Sequence, residues 1–315
     1  MVDARTQPAQ PARSDKRKVA LHSMLASLGL TVMKVAVGIA SGSIAVLAEA
    51  AHSGLDFAAA AMTLWAVRIS DKPSDANHPY GHYRMENLSA LGETLLLLIT
   101  CVWILYEAIK RLMGEPIHLS NPIIAVAVLA ISMGVDWSRS RSLAKAAKEH
   151  DSQALEADAL HFSTDILSSA TALLGVALVW ATPRLGVPWL SRADAVAAIL
   201  IAIVTVGLSW RLGLRTVRAL TDEVSPELRK QLETAVRAVP EVHEPLRIRA
   251  RISGNRTFVD VVAHVRADLS VSESHAVADR IEEAVHASVK NADVMVHLEP
   301  TGKHRSTHEE ETALG

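Results

Sequence analysis

The chain has 315 residues, is 50% hydrophobic and 21% charged, and carries a formal net charge of -2. This mixture is too apolar for one soluble domain and too charged for a purely membrane-embedded chain, so we expect a membrane part and a soluble part. The near-neutral charge excludes the basic field that nucleic-acid binding needs. A single cysteine, Cys101, excludes an internal disulfide and a thiolate cluster, so any metal ligands must be nitrogen and oxygen.

The N-terminal residues are polar and lack the apolar stretch and cleavage site of a signal peptide. We predict that residues 1–17 form a disordered cytoplasmic tail. The C-terminal residues 301–315 are also polar, and we predict a second disordered tail there.

Apolar segments that reach, or nearly reach, the length needed to cross a hydrocarbon core of roughly 30 Å recur six times between these tails. They are Val19 to Ala40, Ile44 to Val67, Leu88 to Leu112, Pro122 to Val135, Leu155 to Ala181 and Ala195 to Leu214. The fourth is short and is followed by Asp136, so we expect its helix to continue in amphipathic form through Lys148. The pattern predicts an all-α membrane bundle of six helices over residues 18–221, with both termini on one side.

Lysine and arginine near the span ends predict the orientation. One side carries Arg13, Lys16, Arg17, Lys18, Arg68, Lys72, Arg84, Arg139, Arg141, Lys145, Lys148, Arg211, Arg215 and Arg218. The other side has Lys110, Arg111, Arg184 and Arg192. The first side is therefore expected to be cytoplasmic, in a bacterial cytoplasmic (inner) membrane, with both termini inside.

Two pairs of ionisable residues stand out within the second and fifth spans: His52 with Asp56, and His161 with Asp165. Each pair is spaced i, i+4, so both side chains leave one face of a helix. Together they offer two imidazoles and two carboxylates, a complete tetrahedral set for Zn²⁺ or a similar ion. Ionisable groups at membrane depth are costly and by default mark an ion path.

A structural role is the alternative for either pair alone, because a single histidine or aspartate in a membrane helix often bonds a neighbouring helix. The repetition of both residue types at the same spacing in two antiparallel helices favours a shared metal site. Small residues around His52 allow a neighbouring helix to approach closely. Glu49, one turn earlier, is expected either to accept from an imidazole or to pair with Lys34 in the first span.

The loop after the second span holds Asp75, His78 and His82. Exposed loop histidines usually bind nothing, so without other support this group is only a candidate metal site.

The composition changes after Asp222 to that of a small soluble domain over residues 222–300. An amphipathic helix at Pro226 to Val239 precedes two alternating stretches, Leu246 to Ile252 and Phe258 to Arg266, joined by a hairpin turn signal. A second helix over residues 272–288 and a last strand over residues 293–299 complete an α-β-β-α-β order. That order predicts an α+β domain with a three-stranded sheet and its helices on one face.

Three stretches carry a resemblance to a known family. They are residues 43–56 of the second span (SIAVLAEAAHSGLD), residues 75–82 of the next loop (DANHPYGH) and residues 157–165 of the fifth span (ADALHFSTD). Their combination resembles the cation diffusion facilitators, and the similarity extends over almost the whole chain. Such proteins are homodimeric metal/proton antiporters with six transmembrane helices and a cytoplasmic metallochaperone-like domain, and the resemblance implies the same here.

The resemblance also implies roles for individual residues. It places the transport site at His52, Asp56, His161 and Asp165, and raises the loop group Asp75, His78 and His82 to an expected metal site. Leu160 matches a position that the family uses as an apolar gate. Arg84 and Asp222 match positions whose opposite charges lock the two membrane halves together, the alternative being an ordinary surface pair of little energetic weight.

In the cytoplasmic domain, His275, His297 and Glu299 match the family's two-metal site, with Glu299 where aspartate is usual. Two further family histidine positions are Leu246 and Val262 here, and His264 lies on the same strand face as Val262. We expect a reduced or single-ion site, or a purely structural dimer contact.

The leading hypothesis is proton-coupled export of Zn²⁺, with Fe²⁺, Cd²⁺ or Mn²⁺ as further substrates, by alternating access in a homodimer. The histidine at position 52 resembles the zinc-preferring members, some others having aspartate there, whereas the loop resembles the iron/zinc branch. Metal binding competes with protons because a ligating histidine must be neutral. There are two alternatives, an intramembrane metallohydrolase and a membrane-anchored metal sensor. The sequence lacks a His-Glu-x-x-His motif, and four protein ligands leave no open position for water, which argues against the hydrolase.

Overall fold

The computed structural model describes residues 10–42, 44–113, 122–185 and 193–301. In chain order its elements are α1 Gln10–Ser41, α2 Ile44–Ser70, α3 Arg84–Leu112, α4 Pro122–His150, α5 Gln153–Leu185, α6 Ala193–Leu220, α7 Pro226–Arg237, β1 His243–Ser253, β2 Arg256–Val265, α8 Val271–Ser288 and β3 Ala292–Pro300. Two compact units divide between Leu220 and Thr221, one residue from the predicted domain boundary.

The helical unit consists of the six long helices α1 to α6. Its most extensive contacts pair α1 with α2, α4 with α5, and α3 with α6. Apolar side chains fill the space where α1, α2, α4 and α5 meet, and the largest of them are Leu64, Leu143, Leu155 and Phe162. The shortest of these helices has 27 residues, which at about 1.5 Å per residue is longer than a bilayer's hydrocarbon core.

By length and composition, three stretches of the described chain are apolar enough to cross a membrane: Asp15–Ser41, Arg84–Lys110 and Val196–Leu220. They belong to α1, α3 and α6. The three other long helices carry charged or ionisable residues along their length, such as Asp56 in α2, Arg139 in α4 and Asp165 in α5, and these lower the mean hydropathy. All six predicted segments are helical where they are described, and α4 continues past Asp136 to His150, as predicted.

The predicted N-terminal tail is too long, because α1 already begins at Gln10. Lys16 is buried and its Nζ lies 2.7 Å from Glu86 Oε1 and 3.0 Å from Asp71 Oδ1. Arg17 Nε donates to Asp71 Oδ2 at 2.8 Å. The polar start of the chain is thus partly ordered by carboxylates at the end of α2 and the start of α3, which composition alone does not reveal. Residues 1–9 lie outside the described chain.

The second unit has the predicted α-β-β-α-β order. Its sheet has the strand order β1-β2-β3, with β1 antiparallel and β3 parallel to β2. The hairpin turn lies at the predicted position, and Gly254 supplies its positive φ of 56°. The predicted C-terminal tail, apart from its first residue Thr301, lies outside the described residues.

Both helices of this unit pack on one face of the sheet, as predicted. The core joins Leu232 and Val236 of α7, Ile281 and Val285 of α8, and Val259 with its alternate neighbours in β2. Because successive strand residues point to opposite faces, the even-numbered residues of β2 and the odd-numbered residues of β3 lie on the other face. Paired residues His264 and Glu299 lie there.

Candidate metal site

The transport residues predicted on α2 and α5 lie together inside the helical unit. His161 Nε2 is 3.1 Å from Asp56 Oδ1 and 3.5 Å from Asp165 Oδ2. His52 Nε2 is 3.8 Å from Asp165 Oδ1 and 3.9 Å from Asp56 Oδ1. Each histidine therefore faces both carboxylates, one on its own helix and one on the other.

The site is accessible mainly at His52, whose side chain is 34% exposed, whereas that of His161 is 4% exposed. The ligand atoms of His52, Asp56 and Asp165 all lie within 4.8 Å of one another, a spacing that can hold a metal ion. His161 adds a second imidazole through its contacts with both aspartates. Two imidazoles and two carboxylates, the donor types of the predicted tetrahedral set, thus lie close together, and their binding of one ion stays a prediction.

Helix α1 fixes the part of α2 that carries His52. Thr31 Oγ1 donates to the Ser53 carbonyl at 2.8 Å, and Lys34 Nζ donates to Ser53 Oγ at 2.7 Å. The same Nζ lies 2.9 Å from Glu49 Oε1. Of the two alternatives for Glu49, pairing with Lys34 is the contact that the structure contains.

Arg139 of α4, which no motif in the sequence marks as a site residue, packs next to the helix that carries His161. Arg139 Nη1 donates to Asp136 Oδ1 at 3.0 Å, and its Nη2 donates to Ser23 Oγ at 3.1 Å and Ser27 Oγ at 2.6 Å. Its guanidinium carbon lies 3.5 Å from the centre of the Phe162 ring, next to His161. The i, i+3 spacing of an acid and a base in α4 was the signal available in the sequence.

The proposed gate residue Leu160 precedes His161 on α5. It is partly buried and packs against a small core of Ala90, Ala157 and Leu212, where α3, α5 and α6 meet. It therefore occupies an apolar position directly beside the polar site.

The loop group also comes together. Asp75 Oδ1 is 3.1 Å from His78 Nδ1, Asp75 Oδ2 is 3.4 Å from His82 Nε2, and the two imidazole ring centres are 4.2 Å apart. The ligand atoms of Asp75, His78 and His82 lie within 4.8 Å of one another.

Local backbone geometry orders this loop. The Asp75 carboxylate accepts from the backbone N–H groups of His78 at 2.8 Å and Asn77 at 3.0 Å, and the His78 N–H lowers the pKa of Asp75. Gly81, with a φ of 80°, turns the chain back between the two histidines. A short acid-and-histidine loop is thus held in a shape that can bind a cation.

In the α+β unit, Glu299 lies close to two of the predicted histidines. Its Oε2 is 3.3 Å from His264 Nε2 and its Oε1 is 3.5 Å from His297 Nε2. His275 is instead on α8, has a 78% exposed side chain, and lies 3.9 Å from Asp279. Within the described chain, the structure therefore gathers three of the four predicted residues of this domain.

The predicted charge pair of Arg84 and Asp222 stays a prediction. Arg84 is the first residue of α3, and Asp222 follows α6 with a φ of 61°.

A bundle of long helices with a cluster of ionisable groups between two of them is typical of a membrane protein that handles cations. Comparison with known proteins gives its family. Residues 20–221 match the model of the cation efflux transmembrane domain, and residues 224–301 match that of the cation efflux protein cytoplasmic domain. The chain therefore belongs to the cation diffusion facilitator family, as the sequence motifs predicted.

Curated relatives agree with this assignment. The chain is 30% identical to the manganese efflux system protein MneP of Bacillus subtilis, over 90% of this chain and 96% of that protein. It is 30% identical to the uncharacterized transporter YdbO of the same species, over 90% of this chain and 95% of that protein. It is 28% identical to the cation-efflux pump FieF of Yersinia pestis, over 95% of this chain and 98% of that protein.

Membership of this family makes the protein an integral membrane transporter for the efflux of divalent metal cations. The proteins of this family are transporters and not enzymes, which removes the intramembrane metallohydrolase from consideration.

Proposed function

We propose that this protein exports divalent metal cations from the cytoplasm by proton-coupled alternating access in a homodimer, with Zn²⁺ as the preferred substrate. The single observation that supports this most is the convergence of His52, Asp56, His161 and Asp165 from two helices on one small volume.

The donor set supports a borderline transition metal over Mg²⁺ or Ca²⁺. Two imidazole nitrogens beside two carboxylates suit Zn²⁺, Fe²⁺, Cd²⁺ and Mn²⁺, whereas Mg²⁺ and Ca²⁺ prefer all-oxygen sites. Zinc accepts four ligands in a tetrahedron without a preference from its d electrons. Mn²⁺ stays a candidate because the relative MneP is named for manganese efflux.

Proton coupling follows from the chemistry of the ligands. A histidine that holds a metal must be neutral and its carboxylate neighbours ionised, so a bound metal excludes protons from the same atoms. The site releases metal to an acidic exterior when protons take over its ligands, and returns to the cytoplasmic side carrying them. Metal moves out and H⁺ moves in.

The remaining predicted residues have supporting roles in this cycle. Leu160 closes the path on one side of the site as an apolar gate. Asp75, His78 and His82 bind a second ion in the cytoplasmic loop, and His264, His297 and Glu299 bind at most one ion in the cytoplasmic domain, which associates with that of a second copy. Both termini lie in the cytoplasm of a bacterial cell.

Transport into proteoliposomes tests the proposal. Protein is reconstituted in vesicles that contain a metal-sensitive dye, and Zn²⁺, Fe²⁺, Cd²⁺ and Mn²⁺ are added with and without an imposed pH difference. We expect Zn²⁺ flux to be the fastest of the four. It should increase when the imposed pH difference drives protons in the direction opposite to the metal. The variant Asp165→Ala should show no flux, while Asp268→Asn, an exposed aspartate of the cytoplasmic domain, should match the unaltered protein.

Two results would contradict the proposal separately. Normal flux through Asp165→Ala would remove the site, and flux that ignores the pH difference would remove the coupling.

A further inference from the structure

Two carboxylates outside the metal site are completely buried in the helical unit: Glu93 of α3 and Asp158 of α5, each with 0% exposure. Thr63 of α2 donates to Glu93 Oε1, and Ser23 of α1 donates to Asp158 Oδ2 at 3.2 Å. The second oxygens, Glu93 Oε2 and Asp158 Oδ1, are buried and have no hydrogen-bond partner among the described residues. An ionised carboxylate in such surroundings is costly unless a proton or a cation neutralises it.

Other buried acids of this unit have a basic partner. Lys16 Nζ lies 2.7 Å from Glu86 Oε1 and 3.0 Å from Asp71 Oδ1, and Arg139 Nη1 lies 3.0 Å from Asp136 Oδ1. Neither Glu93 nor Asp158 forms a salt bridge within the described part of the chain. Arg139 reaches Asp158 only through Ser23, whose hydroxyl accepts from the arginine and donates to the aspartate.

The two unpaired acids act on each other. Ala90, one turn before Glu93 on α3, and Ala157, directly before Asp158 on α5, pack in one buried cluster, so the two acids lie near each other and two negative charges there would repel. The charged groups that face Asp158 from the neighbouring elements are Arg139 of α4, Asp56 of α2 and His161 of its own helix. Helix α1 presents Ser23 to Asp158, and α2 presents Thr63 to Glu93, and both of these groups are uncharged.

Their position links them to the metal site. Asp158 precedes His161 by three residues, one helical turn, on α5, and Thr63 follows Asp56 by two turns on α2. Asp158 and Thr63 therefore both lie between the metal site and the ends of α5 and α2 that the lysine and arginine distribution predicts to be cytoplasmic. Ala90 and Ala157, small residues next to the two acids, allow α3 and α5 to pack closely here.

We propose that Glu93 and Asp158 form a proton-binding site, separate from the metal ligands, that holds one exchangeable proton and releases it when a divalent cation binds at His52, Asp56, His161 and Asp165. A proton, and not a second metal ion, is the ligand that fits, because the pair offers two free carboxylate oxygens and no nitrogen donor. When the cation arrives one turn away, its positive charge stabilises the ionised carboxylates and the O–H bond of the carboxyl group breaks. The proton leaves to water and returns when the metal departs.

The inference rests on the proposed function for its metal site, and proton counting at equilibrium separates the two. Full-length protein in detergent is titrated with Zn²⁺ in a weakly buffered solution that contains a pH indicator, which gives the protons released per Zn²⁺ bound. We expect Glu93→Gln to bind Zn²⁺ still, since Glu93 does not touch the metal ligands, but to release about one proton fewer than the unaltered protein. Glu93→Asp should restore the lost proton, and the exposed-residue control Glu149→Gln should release the full number.

An infrared measurement on the unaltered protein covers the case in which Glu93→Gln does not fold. Zn²⁺ binding should remove the carbonyl stretch of a protonated carboxyl group, and this loss should be absent in Asp158→Asn. An unchanged proton count in a folded Glu93→Gln, or no loss of a protonated carboxyl in the unaltered protein, overturns the inference. Zn²⁺ binding and proton release that persist in Asp56→Ala would instead overturn the proposed metal site.

Discussion

His161 Nε2 lies 3.1 Å from Asp56 Oδ1, although 105 positions separate the two residues in the chain. Within the described residues, α2 and α5 each carry one histidine and aspartate spaced i, i+4, and this contact joins the two pairs. It turns two local spacings into one four-residue site.

Loss of one carboxylate should weaken metal binding strongly. In Asp56→Asn the amide oxygen keeps the shape but not the charge that faces both histidines. Replacement of groups that merely orient ligands typically lowers metal affinity about 10–100-fold, so a ligand should lose at least that much. Isothermal titration of the purified protein with Zn²⁺ measures the affinity, with Asp268→Asn as the exposed control. An affinity within about twofold of the unaltered protein would rule out Asp56 as a ligand.

The residue at position 52 should set the choice of metal. His52→Asp replaces an imidazole with a third carboxylate, which favours a harder ion such as Mn²⁺ over Zn²⁺. We expect the ratio of Zn²⁺ to Mn²⁺ flux in proteoliposomes to fall by about tenfold or more, a change of roughly 1.4 kcal/mol in relative binding. His286→Asp, at an exposed position of α8, should leave the ratio unchanged. An equal loss of both fluxes would mean that His52 contributes to transport without selecting the ion.

Arg139 should stabilise the bundle through Asp136. Arg139→Met leaves that aspartate buried without its cation, a change that in proteins costs about 3–5 kcal/mol. We expect a marked fall in the thermal unfolding temperature in detergent, followed by circular dichroism. Asp136→Asn combined with Arg139→Met should recover much of the loss, because position 136 then carries no buried charge.

The matched control for this helix is Arg141→Met, whose guanidinium is exposed and lies 5.6 Å from the Trp137 ring. If Arg141→Met lowered the unfolding temperature as much as Arg139→Met, the loss of stability would come from removing any arginine of α4 and not from breaking the buried pair.

Glu299 should hold the cytoplasmic ion if this domain binds one. The carboxylate contacts His264 and His297 on the open face of the sheet, so Glu299→Gln removes the group that both histidines share. We expect the number of Zn²⁺ ions bound per chain to drop by about one in equilibrium dialysis of the full-length protein. An unchanged number would assign these residues a structural role at the domain surface.

The first turn of helix α8 should be less stable at acidic pH. Glu273 Oε2 accepts from the Ser270 backbone N–H at 2.8 Å and from its hydroxyl at 2.7 Å, and the backbone bond lowers the pKa of Glu273. Because the pKa of Glu273 is lower in the folded than in the unfolded state, its hydrogen bonds stabilise the helix above the unfolded-state pKa. This stabilisation is lost as the pH falls through the folded-state pKa. Hydrogen exchange in the first turn of α8, corrected for the intrinsic rate, should therefore quicken with acidification.

Glu273→Gln should remove this pH dependence. Helix α7 provides an internal control, because its cap residue Ser225 accepts from Leu228 N–H and leucine replaces glutamate at the same position of the turn. Equal acidification effects on both helices would exclude the Ser270–Glu273 cap as the cause.

Much of the architecture followed from local patterns. The α-β-β-α-β order, the hairpin at Gly254 and the continuation of α4 beyond Asp136 were predictable because turn residues and hydrophobic periods act over a few positions. The i, i+4 pairs on α2 and α5 were visible for the same reason.

What the sequence by itself determined about this protein is therefore its long helices, its C-terminal α+β domain, its family motifs and the candidate ligand pairs on α2 and α5. The tertiary structure alone decided which polar groups meet: Lys16 with Asp71 and Glu86, Arg139 with Ser23 and Ser27, and Glu93 with Thr63. Each of these contacts joins helices that are distant in the chain. Helical periodicity fixes the face on which a side chain lies but not which helix packs against that face.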